Sequence, residues 1–194
     1  MPMKTLIPIL LLALALPASA DVYKAKFGSK LRLDGDSSVH KWKAESRLIG
    51  GSFTIDPAAL AKPGTITAKE EVKIPVRQIK SGKKKMDEVM HGEKCFDVKK
   101  YPMILFDLTE LEVKKARGSL SLCDAKGTIT IHGVTKPIEM PVTIARAGSK
   151  LTVKGVKTLK MSDFKITPPS PQLPTGKIVT KDEVKITFEW VTGK

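Results

Sequence analysis

Apolar residues recur at every second position over most of this chain, and that period confines it to strands. In the last such row Val184, Ile186, Phe188 and Trp190 alternate with Lys185, Thr187 and Glu189. Successive side chains of a strand point to opposite faces, so each row supplies one face for burial. Ile138, Met140, Val142 and Ile144 form a second row, and Ile104, Phe106 and Leu108 a third. From Ile66 to Val76 the even positions are apolar except Glu70, and the odd ones are polar or Pro. Shorter stretches at Leu31-Leu33, Trp42-Ala44, Leu120-Leu122, Ile129-Ile131 and Leu151-Val153 bring the expectation to about eight to ten strands. Turn signals stand at Asp34-Gly35, Ala125-Lys126-Gly127, Ala147-Gly148-Ser149 and Thr175-Gly176. Only Lys83 to about Glu93 reads as helix, with Met86, Val89 and Met90 on one face and Gly92 near the end. Thr167 to Pro174 carries four prolines and reads as a loop, because proline cannot donate to a ladder. With no repeat and no linker between two cores, the expectation is one all-β antiparallel domain. A closed barrel removes its exposed edges most completely.

Composition bounds the function classes. The chain has 194 residues and 41% hydrophobic content, enough for one real core and too apolar for disorder. Two cysteines are too few for a disulfide scaffold or a Cys-rich zinc module. The sequence lacks Asn, so no N-glycosylation sequon exists. A formal charge of +14 raises the question of an acidic partner, to which the first twenty residues contribute only Lys4. Those twenty residues have the layout of a secretory signal peptide: an uncharged run Leu6–Leu16, then Ala18-Ser19-Ala20 before Asp21. The run is shorter than the about 20 residues a spanning helix needs. The expectation is therefore a signal peptide over 1–20 and a periplasmic or secreted domain over 21–194.

Signatures of catalysis are missing. The chain has no Gly-x-Ser-x-Gly elbow, Walker loop or dinucleotide glycine motif. Glu70 and Glu71 are adjacent, on opposite faces of a strand, and cannot pair as acid and base within it. His40, His91 and His132 lack metal spacing. Each is expected to orient a turn or strand end by hydrogen bonding, and His40 and His132 can approach one another. The reading is not an enzyme, with no obligatory cofactor and no metal.

Three ordered segments carry a family resemblance. They are Ser38-Val39-His40-Lys41-Trp42; Met86 to Met90 followed by Phe96-Asp97 and Tyr101 to Phe106; and Gly127 to Ile138 through His132-Gly133-Val134-Thr135. Asp163-Phe164-Lys165-Ile166 and Asp182 to Phe188 fit the same pattern. Together they resemble the bacterial YceI-like family of lipid-binding proteins, over essentially all of 21–194. The resemblance implies an extended eight-stranded lipocalin-like barrel with a short helix near one end, exported to the periplasm. It implies a polyisoprenoid, an isoprenoid quinone, a fatty acid or an amide held inside for transport or storage. One departure is Lys165, which stands where the family often has Gly after Asp-Phe.

On that reading the lipid-lining rows are Ile66, Val72, Ile74 and Val76, then Ile104 and Phe106, then Val142 and Ile144, then Val184, Ile186 and Phe188. Met86 and Met90 join them near a mouth, where thioethers adapt to irregular ligands. Such a barrel stands roughly 25 Å tall, and ten buried methylenes contribute about 8 kcal/mol before ordering costs. Lys83, Lys84 and Lys85 sit in the first helical turn, against the macrodipole. With Lys80 they either receive an anionic head group or form a solvated basic loop. Cys95 and Cys123 are either a disulfide or two buried thiols. Two alternatives stand beside the lipid carrier. One is a basic module for an acidic polymer or anionic membrane surface, with a dry barrel core. The other is a metal-assisted hydrolase using His40 or His132. The export signal and the scarcity of aromatics argue against nucleic acid, and a homodimer is open.

Overall fold

The computed structural model describes residues 20–174 and 176–194, so the signal-peptide reading lies almost wholly outside the described residues. The chain opens with β1 (Asp21–Ala25), β2 (Lys30–Ser37), β3 (Trp42–Ser46) and β4 (Gly50–Ile55). After β5 (Gly64–Ile66) and β6 (Ala68–Pro75) comes one helix, α1 (Lys84–His91). The long strands follow: β7 (Met103–Arg117), β8 (Leu120–Ile131), β9 (Val134–Ala147) and β10 (Lys150–Lys160). A small ribbon of β11 (Gln172–Leu173) and β12 (Gly176–Lys177) precedes β13 (Thr180–Gly193).

The barrel order is β1-β4-β6-β7-β8-β9-β10-β13, a closed eight-stranded antiparallel ring. Closure comes from the rungs Lys24–Gly193 and Ala25–Thr192 between β1 and β13. At 14 residues β13 serves two neighbours on that side. Its end meets β1, while Val184 to Glu189 pair with Gly35 to Lys30 of β2. The β2–β3 ribbon thus continues the wall, and a bridge between Glu45 and Lys80 ties it to the chain beyond β6. Burial alternates along each strand as the apolar rows require, with Leu151 and Val153 buried between exposed Lys150 and Lys154.

Two of the turn signals are strand interior. Asp34-Gly35 lies inside β2, where Gly35 pairs with Trp42. A Cβ on Gly35 would stand 2.0 Å from the Trp42 ring, so the glycine serves close packing rather than a turn. Ala125-Lys126-Gly127 is likewise the middle of β8. There a Cβ on Gly127 would meet the Asp107 carbonyl at 2.3 Å, beside a register shift between Leu108 and Glu110. The Ala147-Gly148-Ser149 hairpin is as expected, between β9 and β10. Residue 175 of the Thr175-Gly176 signal is outside the described residues. β1 and β4 were not foreseen.

The helix begins where expected, though Ser81 secures it from outside the first turn. The Ser81 hydroxyl accepts from the Lys83 N–H at 3.1 Å and donates to Asp87 Oδ1 at 2.7 Å. The proline-rich stretch is irregular until it enters the β11–β12 ribbon. Just ahead of it, Lys165 adopts the left-handed conformation at φ +58°, which glycine takes at least cost.

Candidate functional site

The inward rows build an interior with a sealed half and a hollow half. Ile55, Leu60, Leu111, Val113, Cys123, Ile144 and Leu151 are at most 2% exposed and form the sealed half. The turn after β4 plugs this end, with the Ser121 hydroxyl donating to the Leu60 carbonyl at 2.6 Å. Further along β13, Trp190 stacks on Phe53 with ring centroids 6.3 Å apart, and the hollow half begins there.

Below that stack lies a chamber of about 90 Å³. Its walls come from Leu31 and Leu33 of β2, Val72 and Ile74 of β6, and Ile104 and Phe106 of β7. Ile49 just ahead of β4, Ile129 and Ile131 of β8, Ile138 and Met140 of β9, Leu159 of β10, and Ile186, Phe188 and Trp190 of β13 complete the apolar lining. A second chamber of about 80 Å³ shares Leu33, Ile104, Ile131, Leu159 and Ile186 with the first. Trp42, Met90, Cys95, Phe96, Phe164 and Val184 also line it, so the end of α1 and the turn Ser162–Phe164 border this lower space. Adjoining through those five shared residues, the two chambers together make up the apolar hollow of the barrel, its passage.

The passage brings together Val72, Ile74, Met90, Ile104, Phe106, Val184, Ile186 and Phe188 of the expected lining. It does not include Ile66, Val76, Met86, Val142 or Ile144. Ile66 pairs with Leu111 beside the sealed half, and Ile144 is buried within it. Val142 borders a groove on the outer wall with Leu122, Lys154 and Val156. Val76 is buried in the short 3-10 turn after β6, and Met86 is half-buried on α1 away from the walls. Leu31, Leu33, Ile138, Met140 and Leu159 line the passage and were missed as site residues, although all sit on alternating rows.

Two charged side chains break the apolar lining of the upper chamber, and Lys160 borders the lower one. Glu70 stands on the inward face of β6, directly opposite Phe53. It is half-buried in the chamber lining and has no hydrogen-bond or ion-pair partner among the described residues. Burial alone pushes its carboxyl up to about 8. Lys157 stands on the inward face of β10, but its Nζ reaches across to donate to the Glu139 carbonyl at 2.7 Å. That contact spans an incomplete seam. The β9–β10 rungs run from Ala147–Lys150 to Val142–Gly155 and stop there, leaving Val156 to Lys160 without rungs to β9. Ile138 and Met140 flank the resulting lateral slit on one side, Lys157 and Leu159 on the other.

Lys80, Lys83, Lys84 and Lys85 are exposed around the start of α1 and line neither chamber. The disulfide alternative is not met: Cys95 and Cys123 are both free and buried, one beside the lower chamber and one in the sealed half. Burial pushes both thiols up to about 11, with the Asp124 charge adding to it at Cys123. The histidines have separate partners rather than one another. His40 meets the Lys41 carbonyl at 3.1 Å, His91 the Ile79 carbonyl at 2.9 Å, and His132 the Phe164 carbonyl at 3.2 Å. His132 also packs edge-on against Tyr101, with centroids 5.1 Å apart. No cluster of His, Cys, Asp or Glu suited to a metal occurs among the described residues.

Comparison with known proteins covers nearly the whole barrel. The family model for the YceI-like domain matches residues 26–192. A UPF0312 protein of Pseudomonas syringae pv. tomato is 31% identical over 150 residues, 74% of this chain and 70% of the relative. A UPF0312 protein of Vibrio cholerae serotype O1 is 30% identical over 122 residues, 60% of each chain. Among solved structures, BcnA of Burkholderia cenocepacia superposes with a TM-score of 0.66 at 25% identity, covering 84% of this chain and 95% of that one. A polyisoprenoid binding domain from Saccharophagus degradans, implicated in plant cell wall breakdown, gives the same TM-score at 13% identity. It covers 89% of this chain and 97% of that one, a likeness of fold.

Proposed function

The chain belongs to the YceI-like family, and from that premise we propose that it is an exported binding protein that holds one long-chain amphiphile inside its barrel. The observation that carries this reading is the pair of adjoining apolar chambers, walled by side chains from eight strands and bordered at one end by α1. A narrow tube of that kind suits an extended hydrocarbon, each buried methylene contributing about 0.8 kcal/mol. The polyisoprenoid binding of the Saccharophagus neighbour supports an isoprenoid as the first candidate cargo. The function is carriage rather than chemistry, in the periplasm or outside the cell. The exposed lysines near α1 favour approach to anionic membrane surfaces, where cargo is collected or delivered.

Native mass spectrometry of protein purified without detergent, followed by solvent extraction, tests this. A stoichiometric adduct that extracts as an isoprenoid or acyl lipid is the expected result. A barrel that stays empty after incubation with a membrane lipid extract would refute it. Steeply salt-dependent binding of a polyanion by that empty barrel would instead support the basic-module reading.

A further inference from the structure

Glu70 has no structural task that explains its place. It interrupts an otherwise apolar row, it has no partner among the described residues, and it faces the end of the upper chamber nearest the sealed half. Leaving a polar group so placed costs stability unless something completes it.

We propose that Glu70 is a polar recognition point at the inner end of the upper chamber, selecting amphiphiles that carry an acceptor-only oxygen such as a carbonyl. This rests on the carrier reading and gives it a direction, with a polar group led inward rather than left among the surface lysines. Glu70 is the unpartnered polar side chain on the inward face of β6, and its carboxyl keeps its proton at neutral pH because burial raises it to about 8. A carbonyl lone pair accepts from that proton, whereas an ammonium would answer only an ionised Glu70. β4 presents Phe53 opposite Glu70, and the walls from β2, β7, β8, β9 and β13 are uncharged. Lys157 of β10 is the other charged side chain of the chamber, and its ammonium is engaged with the Glu139 carbonyl. Above pH 8 the carboxyl loses its donor and repels a carbonyl oxygen, which can only accept.

The test compares 2-heptadecanone with 1-heptadecene as competitors for a fluorescent hydrophobic probe, using delipidated wild type and Glu70→Gln at pH 6 and pH 9.5. In the wild type the ketone should compete about tenfold better than the alkene at pH 6, and this preference should vanish at pH 9.5. Glu70→Gln keeps a neutral amide donor and should retain the preference at both pH values. Equal competition by the two ligands in the wild type at pH 6 overturns the inference while leaving the carrier reading intact. So does a preference that persists at pH 9.5, or a Gln variant that loses it at high pH. If neither ligand displaces the probe from any form, the carrier reading fails and this inference falls with it.

Discussion

Replacing Glu70 by Gln should stabilise the empty barrel, by an amount set by pH. The carboxyl titrates at about 8 in the fold against an ordinary value of 4.5. A raised acid binds its proton more tightly when folded, so its share of stability is intact below pH 4.5. As pH rises the unfolded chain ionises freely while the folded one resists. Wild-type stability therefore falls by about 1.4 kcal/mol per pH unit until the folded carboxyl itself ionises near pH 8. The cost integrates to roughly 3 kcal/mol at pH 7 and about 5 kcal/mol above pH 8. Gln has nearly the same shape, stays neutral and avoids the whole slope. Urea unfolding of delipidated wild type and variant at pH 4, 7 and 9 measures the difference. The two curves should nearly coincide at pH 4 and separate steadily above it. A gap that stays constant with pH, or narrows, would refute the placement of Glu70 in a low-dielectric chamber without a counter-charge.

Four further outcomes follow from particular contacts. Gly35→Ala pushes a methyl into the Trp42 ring and should cost about 1–3 kcal/mol, read from urea midpoints; a neutral substitution would mean the ring does not lie on this residue. Lys165→Gly relieves a left-handed backbone and should gain about 1 kcal/mol in the same assay, whereas a loss would place the side chain in a role its conformation does not suggest. Lys157→Met removes the tie to the Glu139 carbonyl and should leave stability within about 0.5 kcal/mol while speeding probe release several-fold; unchanged release would mean cargo does not use the slit. Both thiols should resist iodoacetamide in the folded protein at pH 8 and react once urea unfolds it, because burial holds each at about 11. Rapid labelling of the folded form, or recovery of an oxidised pair, would contradict that burial.

The fold was legible because alternation and burial express the same fact. Val184 to Trp190 read as one inward row and form one wall of the passage. The errors came from glycines. At Gly35 and Gly127 a missing side chain makes room for Trp42 and the Asp107 carbonyl, and a sequence does not distinguish that use from a turn. β4 escaped notice because Gly50, Gly51 and Ser52 carry no apolar signal, and their partners lie on distant strands. The site was half legible for a related reason. Period two gives the inward face of a strand, but nothing in it gives height along the barrel. Ile144 and Ile186 share a pattern, yet one is sealed in the closed half and the other borders the hollow. Glu70 was visible as a break in its row, Lys157 lay beyond the short stretch read as Leu151-Val153, and only the enclosing walls give either a meaning.

The unstitched seam below Gly155 and Val142 alters what kind of ruler this barrel is. A tube closed on all sides rejects tails longer than itself or makes them coil. On the carrier reading, a surplus tail would leave sideways between β9 and β10, past Lys157. Affinity should then climb with each added methylene only until the hollow is full, and stay level for every homologue beyond. A carrier of that kind would sort cargo by the chemistry of one end and be indifferent to excess length.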